Sequence, residues 1–170
     1  MPKLLKNVAG DLTEEATVPV SAGPTSAGKV PELDSTGHLD VTLMPVGYGT
    51  DVITGAVAGE ALTAGDMVYL DSTGKYFRAD ANTISKAAQG YVMATTPVNG
   101  TTTVYLGDTN TAVTGLTPGL FYFLSAATPG KLVPATSLPV GTGKIIQRLG
   151  FAQSTTALHL NIQQTPFILA

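Results

Sequence analysis

Cysteine and tryptophan are absent from this 170-residue chain, and histidine occurs only twice. Without cysteine there are no disulfides, thiolate metal sites or thiol nucleophiles. The compartment stays open, because a secreted chain can also lack cysteine. Charge is scarce as well. Asp, Glu, Lys and Arg make up 12% of the residues, roughly half the usual ~25%. No stretch approaches the ~20 apolar residues of a membrane span. The apolar run near the N-terminus is broken by Lys6 and Asn7, short of the ~7–15 residues of a signal-peptide centre. The chain is therefore expected to be made soluble in the cytoplasm, without a membrane partner. Its net charge of −3 argues against a basic, direct nucleic-acid binder.

What is present favours short strands. The chain has 19 glycines and 11 prolines, with 44% hydrophobic residues. That is enough for a core, and the turn formers and abundant Thr disfavour long helices. Every acid lies at or before Asp108, and residues 109–170 carry only Lys131, Lys144 and Arg148 as charges. A nearly uncharged C-terminal half suits a surface covered by core or partner, since interface centres are depleted in charge.

The pattern predicts an all-β chain in two parts. Residues 1–50 hold five prolines and six glycines, at positions 10, 23, 28, 37, 47 and 49. They read as an extended N-terminal arm or connector with little core of its own. Leu33, Leu39, Val41, Leu43 and Met44 are its apolar anchors. Residues 51–170 read as a small β-barrel or β-sandwich. Met67–Leu70 and Lys75–Ala79 flank a turn at Asp71–Gly74, with Gly74 in the left-handed position. Asn99-Gly100 marks a tight turn before a strand at Thr101–Leu106. Leu120–Leu124 reads as a fully buried strand. Lys144–Leu149, Phe151–Ser154 and Ala157–Ile162 complete the set, and residues 80–88 have room for a helical turn.

The second part repeats itself. Leu62-Thr63-Ala64-Gly65 and Leu116-Thr117-Pro118-Gly119 each lead into a strand and then a Gly-Lys turn. Gly90–Thr96 matches Gly150–Thr156. The offsets are 54 and 60 residues, so a longer loop is expected in 134–143. Two such halves, each too small to bury its own face, are expected to share one barrel or sandwich.

Chemistry is sparse. Gly23–Lys29 follows most of a phosphate-loop pattern, but Val30 lacks the hydroxyl that would hold Mg²⁺. Pro24 removes an N–H, and Pro31 disfavours the helix whose N-terminus would attract phosphate. Asp34, His38 and Asp40 lie close enough in sequence to hold a metal, but they read as a solvated turn around Gly37. His159 alternates with leucines and reads as the polar face of its strand. Asp66 and Glu60 sit beside turn glycines and read as turn chemistry. No nucleophile elbow is present. The expectation is no enzyme, no cofactor and no metal. Core packing accounts for most aromatics; a sugar platform would need them exposed.

These residues carry a resemblance. Glu60–Leu70, Gly90-Tyr91-Val92, Gly115–Gly119, Tyr122–Ser125, Pro129-Gly130-Lys131 and Gln147–Gly150 resemble a small β domain of tailed-bacteriophage virion proteins. Gly28–Asp34, with Gly37, Leu39-Asp40 and Met44-Pro45, resembles the connector that precedes such domains in phage fibres and head-surface proteins. The resemblance spans roughly residues 28–170. It implies a capsid decoration, or cement, protein on the outer head surface, a homotrimer whose partner is the major capsid protein. A fibre or baseplate component acting in host attachment is the alternative it allows. It implies no catalytic residues. Candidate interface residues are Leu33, Leu39, Leu43 and Met44 in the arm, and Phe167, Ile168 and Leu169 with Pro166 in an apolar tail. That tail either crosses a subunit boundary or forms the last strand of its own domain.

Overall fold

A computed structural model describes residues 3–35, 37–44 and 51–170. Pro2, Pro45, Gly47, Gly49 and the side chain of Val41, all read above, lie outside the described residues. Among the described residues the chain is all-β, with short 3-10 turns and no α-helix. It divides into two compact units, residues 1–49 and 50–170.

The first unit is more structured than an extended arm. Strands β1 (Lys3–Val8) and β2 (Asp11–Ala16) pair antiparallel through a two-residue turn at Ala9-Gly10. Both turn residues are left-handed, with φ of 54° and 102°, the backbone that suits a tight hairpin. Sequence periodicity missed this hairpin because Leu4-Leu5 breaks alternation and alanine rarely takes the left-handed position. Glu15 bridges Lys6 at 3.2 Å and Lys29 at 3.4 Å. Val18 forms a parallel bridge with Pro31, and 3-10 turns span Gly23–Ser26 and Val41–Leu43. Thr17 alone is buried among the described side chains of this unit, so the unit has almost no core.

The second unit holds the remaining strands. They are β3 (Val52–Val57), β4 (Met67–Leu70), β5 (Tyr76–Arg78), β6 (Gly90–Val92) and β7 (Thr101–Tyr105), then β8 (Thr109–Asn110) and β9 (Phe121–Leu124). There follow β10 (Leu132–Pro134), β11 (Ile145–Ile146), β12 (Arg148–Ala152), β13 (Leu158–Leu160) and β14 (Phe167–Ile168). One five-stranded sheet runs β3-β7-β6-β4-β5, the other β8-β13-β12-β9-β10, and β11 pairs with β14. All these pairings are antiparallel.

The two sheets thus have the same strand order, and the agreement reaches single hydrogen bonds. Gly65 N–H donates to the Val92 carbonyl at 2.8 Å, and Gly119 N–H donates to that of Ala152 at 2.8 Å. Val92 N–H donates to the Asp66 carbonyl at 3.1 Å, and Ala152 N–H to that of Leu120 at 2.9 Å. The turn after the first strand also matches. The Asp71 carboxylate accepts from Thr73 N–H, and the Ser125 hydroxyl oxygen accepts from Ala127 N–H. Gly74 is left-handed, as its turn requires, at φ 77°.

Neither sheet is a closed barrel; the domain is sandwich-like. In the first sheet the edges meet at one parallel bridge, Ala58 to Tyr76, with Gly59 N–H donating to the Tyr76 carbonyl. The pocket inside that curl is filled by Ala56, Leu62, Val68, Tyr76, Val92 and Val104. In the second sheet no bridge joins the edges among the described residues. A cavity of about 510 Å³ lies beside the corresponding segments, between residues 112–117 and 131–136. The main core packs the outer face of the first sheet, through Met67 and Tyr91, onto Leu116, Tyr122, Leu124, Leu149 and Leu158 of the second half. The second half of this unit therefore covers the outer face of the first sheet, while the first half also keeps a core cluster of its own.

Candidate functional site

Asp34, Asp40, Glu60 and Asp66 each accept hydrogen bonds from neighbouring groups of the chain. Among the described residues no cluster of His, Asp and Glu is placed to hold a metal. Asp34 and His38 close a turn: His38 N–H donates to the Asp34 carboxylate at 3.0 Å, and Asp34 N–H donates to the His38 carbonyl at 2.8 Å. Asp40 accepts from the hydroxyl and the backbone N–H of Thr42, which lowers its pKa, the hydroxyl contributing most. In the Gly23–Lys29 segment the N–H groups of Ala22, Ala27 and Lys29 are spent on Ser26 and Pro24 oxygens. The Lys29 ammonium faces Glu15.

Asp66 combines turn chemistry with a link between the two halves. Its carboxylate is buried, accepts from Thr63 N–H at 2.8 Å and pairs with the Lys131 ammonium. Glu60 accepts from both the backbone N–H and the guanidinium of Arg78, each at 2.8 Å. Gln147, like Asp66, links the two halves. Its buried side-chain amide accepts from Ala88 N–H at 2.7 Å and donates to the carbonyls of Ala88 at 2.9 Å and Gln163 at 3.1 Å. The composition gave no signal for Gln147, since a lone glutamine on a strand usually faces water.

The surface with the strongest character is the outer face of the second sheet. Leu120–Leu124 is not buried on both sides. Tyr122 and Leu124 point into the core, whereas Leu120 and Phe121 are exposed and Phe123 is half-buried. The uniformly apolar sequence conceals this alternation. Phe121, Phe151, His159 and Thr109 form one cross-strand row. Phe121 and Phe151 meet edge to face with centroids 6.4 Å apart, and Phe151 and His159 lie 5.2 Å apart. The Arg148 guanidinium sits 5.4 Å above the Phe121 ring, a cation–π contact. Phe121 is 48% exposed and Phe151 37%. Sequence reading placed His159 off the core, but nothing in it singled out Arg148 or paired the two phenylalanines.

The interface candidates in the arm lie where a partner can reach them. Leu33, Leu39 and Met44 are exposed and Leu43 is half-buried. The tail is paired within its own domain. Ile168 opposes Ile145 and Phe167 opposes Ile146. Leu169 N–H donates to the Lys144 carbonyl at 2.8 Å, and Pro166 and Leu169 are half-buried. The side chains of Phe167 and Ile168 nevertheless remain exposed.

The cavity beside the edges of the second sheet is walled by Val113, Leu116, Leu120, Leu132 and Pro134. Its one charged wall residue, Lys131, is paired with Asp66. The Tyr122 hydroxyl oxygen accepts from Thr117 N–H at 2.9 Å. Thr114, Thr117 and Thr136 complete a mixed polar and apolar lining. No protein family, curated protein or solved structure matches the chain.

Proposed function

We propose that this chain is a virion structural protein that decorates and stabilises the outer surface of a tailed-phage capsid by clamping adjacent capsomers. In this reading the chain is a homotrimer bound to the major capsid protein on the outside of the particle, with no catalytic role. The observation that carries the reading is the mismatch between charge and exposed apolar surface. A chain with 12% charged residues leaves Leu5, Leu12 and Leu33 exposed in one unit and Phe121, Phe151, Phe167 and Ile168 in the other. A soluble monomer usually carries ~25–35% charged residues on its surface, and contiguous exposed apolar patches mark interaction sites. The sequence resemblance supplies the kind of particle. Binding only the assembled shell stabilises it by mass action, and exposed groups on two units supply avidity.

The experiment is the copy number of this chain in purified particles, measured against the major shell protein. A ratio near one supports decoration, and depleted heads then burst at lower temperature. A handful of copies per particle, with heads indifferent to depletion, sinks it. That outcome favours the second reading, a fibre or baseplate component in host attachment, for which the exposed Phe121–Phe151–His159 row is the supporting observation. The finer reading of two sequence repeats is proposed alongside, supported by the shared strand order and the matched hydrogen bonds.

A further inference from the structure

We infer that Asn99 modifies itself, converting to aspartate and isoaspartate by attack of the Gly100 backbone nitrogen on its side-chain amide, with the Lys75 ammonium as the activating group. The first observation is in the sequence. The chain has five asparagines, and Asn7, Asn82, Asn110 and Asn161 are followed by Val8, Thr83, Thr111 and Ile162. Each of those neighbours is branched at Cβ, which crowds its backbone nitrogen. Gly100, after Asn99, has no side chain, so its nitrogen is open to approach.

The second observation is the turn. Asn99 is exposed and holds the left-handed backbone, at φ 62°. Gly100 N–H donates to the Pro97 carbonyl at 2.9 Å. That bond must open before the nitrogen attacks, and exposed turns open locally at low cost. The third observation is Lys75. Its ammonium donates to the Asn99 amide oxygen at 2.8 Å. Negative charge develops on that oxygen as the nitrogen adds to Cγ, and a donor already in place stabilises it.

The reaction balances with water alone. The Gly100 nitrogen bonds to Cγ, the Cγ–Nδ2 bond breaks, and the Gly100 proton leaves with Nδ2 as ammonia. The product is a cyclic imide, which water opens. Cleavage at Cγ leaves aspartate in an unaltered backbone. Cleavage at the backbone carbonyl leaves isoaspartate, whose main chain runs through the side chain and is one carbon longer.

The position matters because this turn supports the closure of the first sheet. Asn99 N–H donates to the Ala58 carbonyl at 2.7 Å, and Ala58 N–H donates to the Gly100 carbonyl at 2.9 Å. Ala58 is also the residue that bridges Tyr76. An extra backbone carbon between Asn99 and Gly100 prevents both bonds from forming together. Aspartate keeps the backbone and tolerates the left-handed position. All these contacts lie within residues 50–170 and hold whether or not the chain sits on a capsid.

The test ages the full chain in mildly alkaline buffer below its melting temperature. A synthetic peptide of residues 96–102 in the same buffer serves as the clock. Chromatography and mass spectrometry of the digested chain separate aspartate from isoaspartate. The expected result is conversion at Asn99, with Asn82 and Asn161, which are exposed too, left intact. Lys75→Met is expected to slow the conversion at least about threefold. The isoaspartate fraction is expected to melt about 4 °C below fresh chain, and Asn99→Asp within about 2 °C of it. Three results overturn the inference. One is an intact Asn99 after the peptide has converted. Another is equal conversion at Asn82 or Asn161. The third is a rate unchanged or raised in Lys75→Met. An isoaspartate fraction that melts with fresh chain overturns the link to sheet closure.

Discussion

Tyr91 and Phe151 hold the same register position in two sheets of identical strand order, yet Tyr91 is 1% exposed and Phe151 37% exposed. Tyr91 opposes Met67 and stacks on Tyr105 with centroids 5.2 Å apart, inside the main core. Phe151 opposes Phe121 and touches His159 at the surface. The first sheet has the second half of the chain against it, and the second sheet has nothing of its own domain on that face.

Gly150 is fixed by a close approach of two strands. A Cβ there would collide with the backbone oxygen of His159, and at the corresponding Gly90 it would lie 2.6 Å from that of Tyr105. Backbone cannot step aside as a side-chain end can. Gly150→Ala is expected to cost about 3 kcal/mol and to lower Tm by about 10 °C. Gly107→Ala, where no atom lies within 4 Å, should leave Tm unchanged or slightly raised. Thermal unfolding of both variants checks the pair, and equal effects would refute the account.

Gln147 ties the segments around Ala88 and Gln163 together through a buried amide. Gln147→Leu fills nearly the same volume with a more apolar group. It strands the Ala88 N–H and two carbonyls, and each unsatisfied buried group costs about 1–3 kcal/mol. The expected outcome is a loss of at least about 2 kcal/mol in urea unfolding at unchanged m-value. A neutral or stabilising result would show that water replaces the amide.

Two groups give opposite pH limbs. Burial alone would raise the Glu60 pKa, but hydrogen bonds from the Arg78 guanidinium and backbone N–H, with Arg78's charge, hold it below its ordinary 4.5. A lowered folded pKa means that this stabilisation is present above the ordinary value. It is lost as pH falls through the folded one. The two side chains are about one-third exposed, 38% and 32%, so solvent screening keeps the effect to about 1 kcal/mol or less. Glu60→Gln should therefore narrow its stability gap to wild type on acidification below pH 4.5.

At the alkaline end, burial first, then Asp108 and Tyr105, push the Tyr91 hydroxyl up from 10.0 to about 12. A raised folded pKa gives stabilisation that is full below pH 10.0 and lost towards about 12. Tyr91→Phe should flatten that limb. Stability against pH, with tyrosinate absorbance, reads both effects.

Phe167 and Ile168 contribute side chains to solvent and backbone to the ribbon with β11. Phe167→Ser with Ile168→Ser is expected to change Tm little, since exposed substitutions fall within about 0.5 kcal/mol. Truncation after Thr165 removes the Leu169 bonds to Lys144 and Gly143 and is expected to cost about 1–2 kcal/mol. Under the capsid reading proposed above, a double serine variant that folds normally yet fails to load onto particles makes the tail an interface, and normal loading restricts it to a domain strand.

Much of the second unit was legible from local chemistry. Asp71–Gly74 and Asn99-Gly100 fixed two turns, and Gly74 and Asn99 take the left-handed backbone that those sequences favour. The strands around Met67–Leu70, Tyr76–Arg78 and Thr101–Tyr105 followed from β-branched and aromatic residues between such turns. The short 3-10 turn at Ile84–Lys86 fell where a helical turn was expected. The N-terminal hairpin escaped because Ala9 supplies no turn signal.

What the sequence determined by itself is the all-β class and the turns at Asp71–Gly74 and Asn99-Gly100. These depend on residue type within a few positions, through backbone preference. Tertiary structure alone decided which face of Phe121-Tyr122-Phe123-Leu124 is buried, because a uniformly apolar run has no preferred side. It also decided that Asp66 meets Lys131 and Gln147 meets Ala88, since those pairs are set by how one half packs on the other. Tyr91 is core and Phe151 is surface for the same reason. Identical local registers become different environments only when one sheet finds a partner within its own chain.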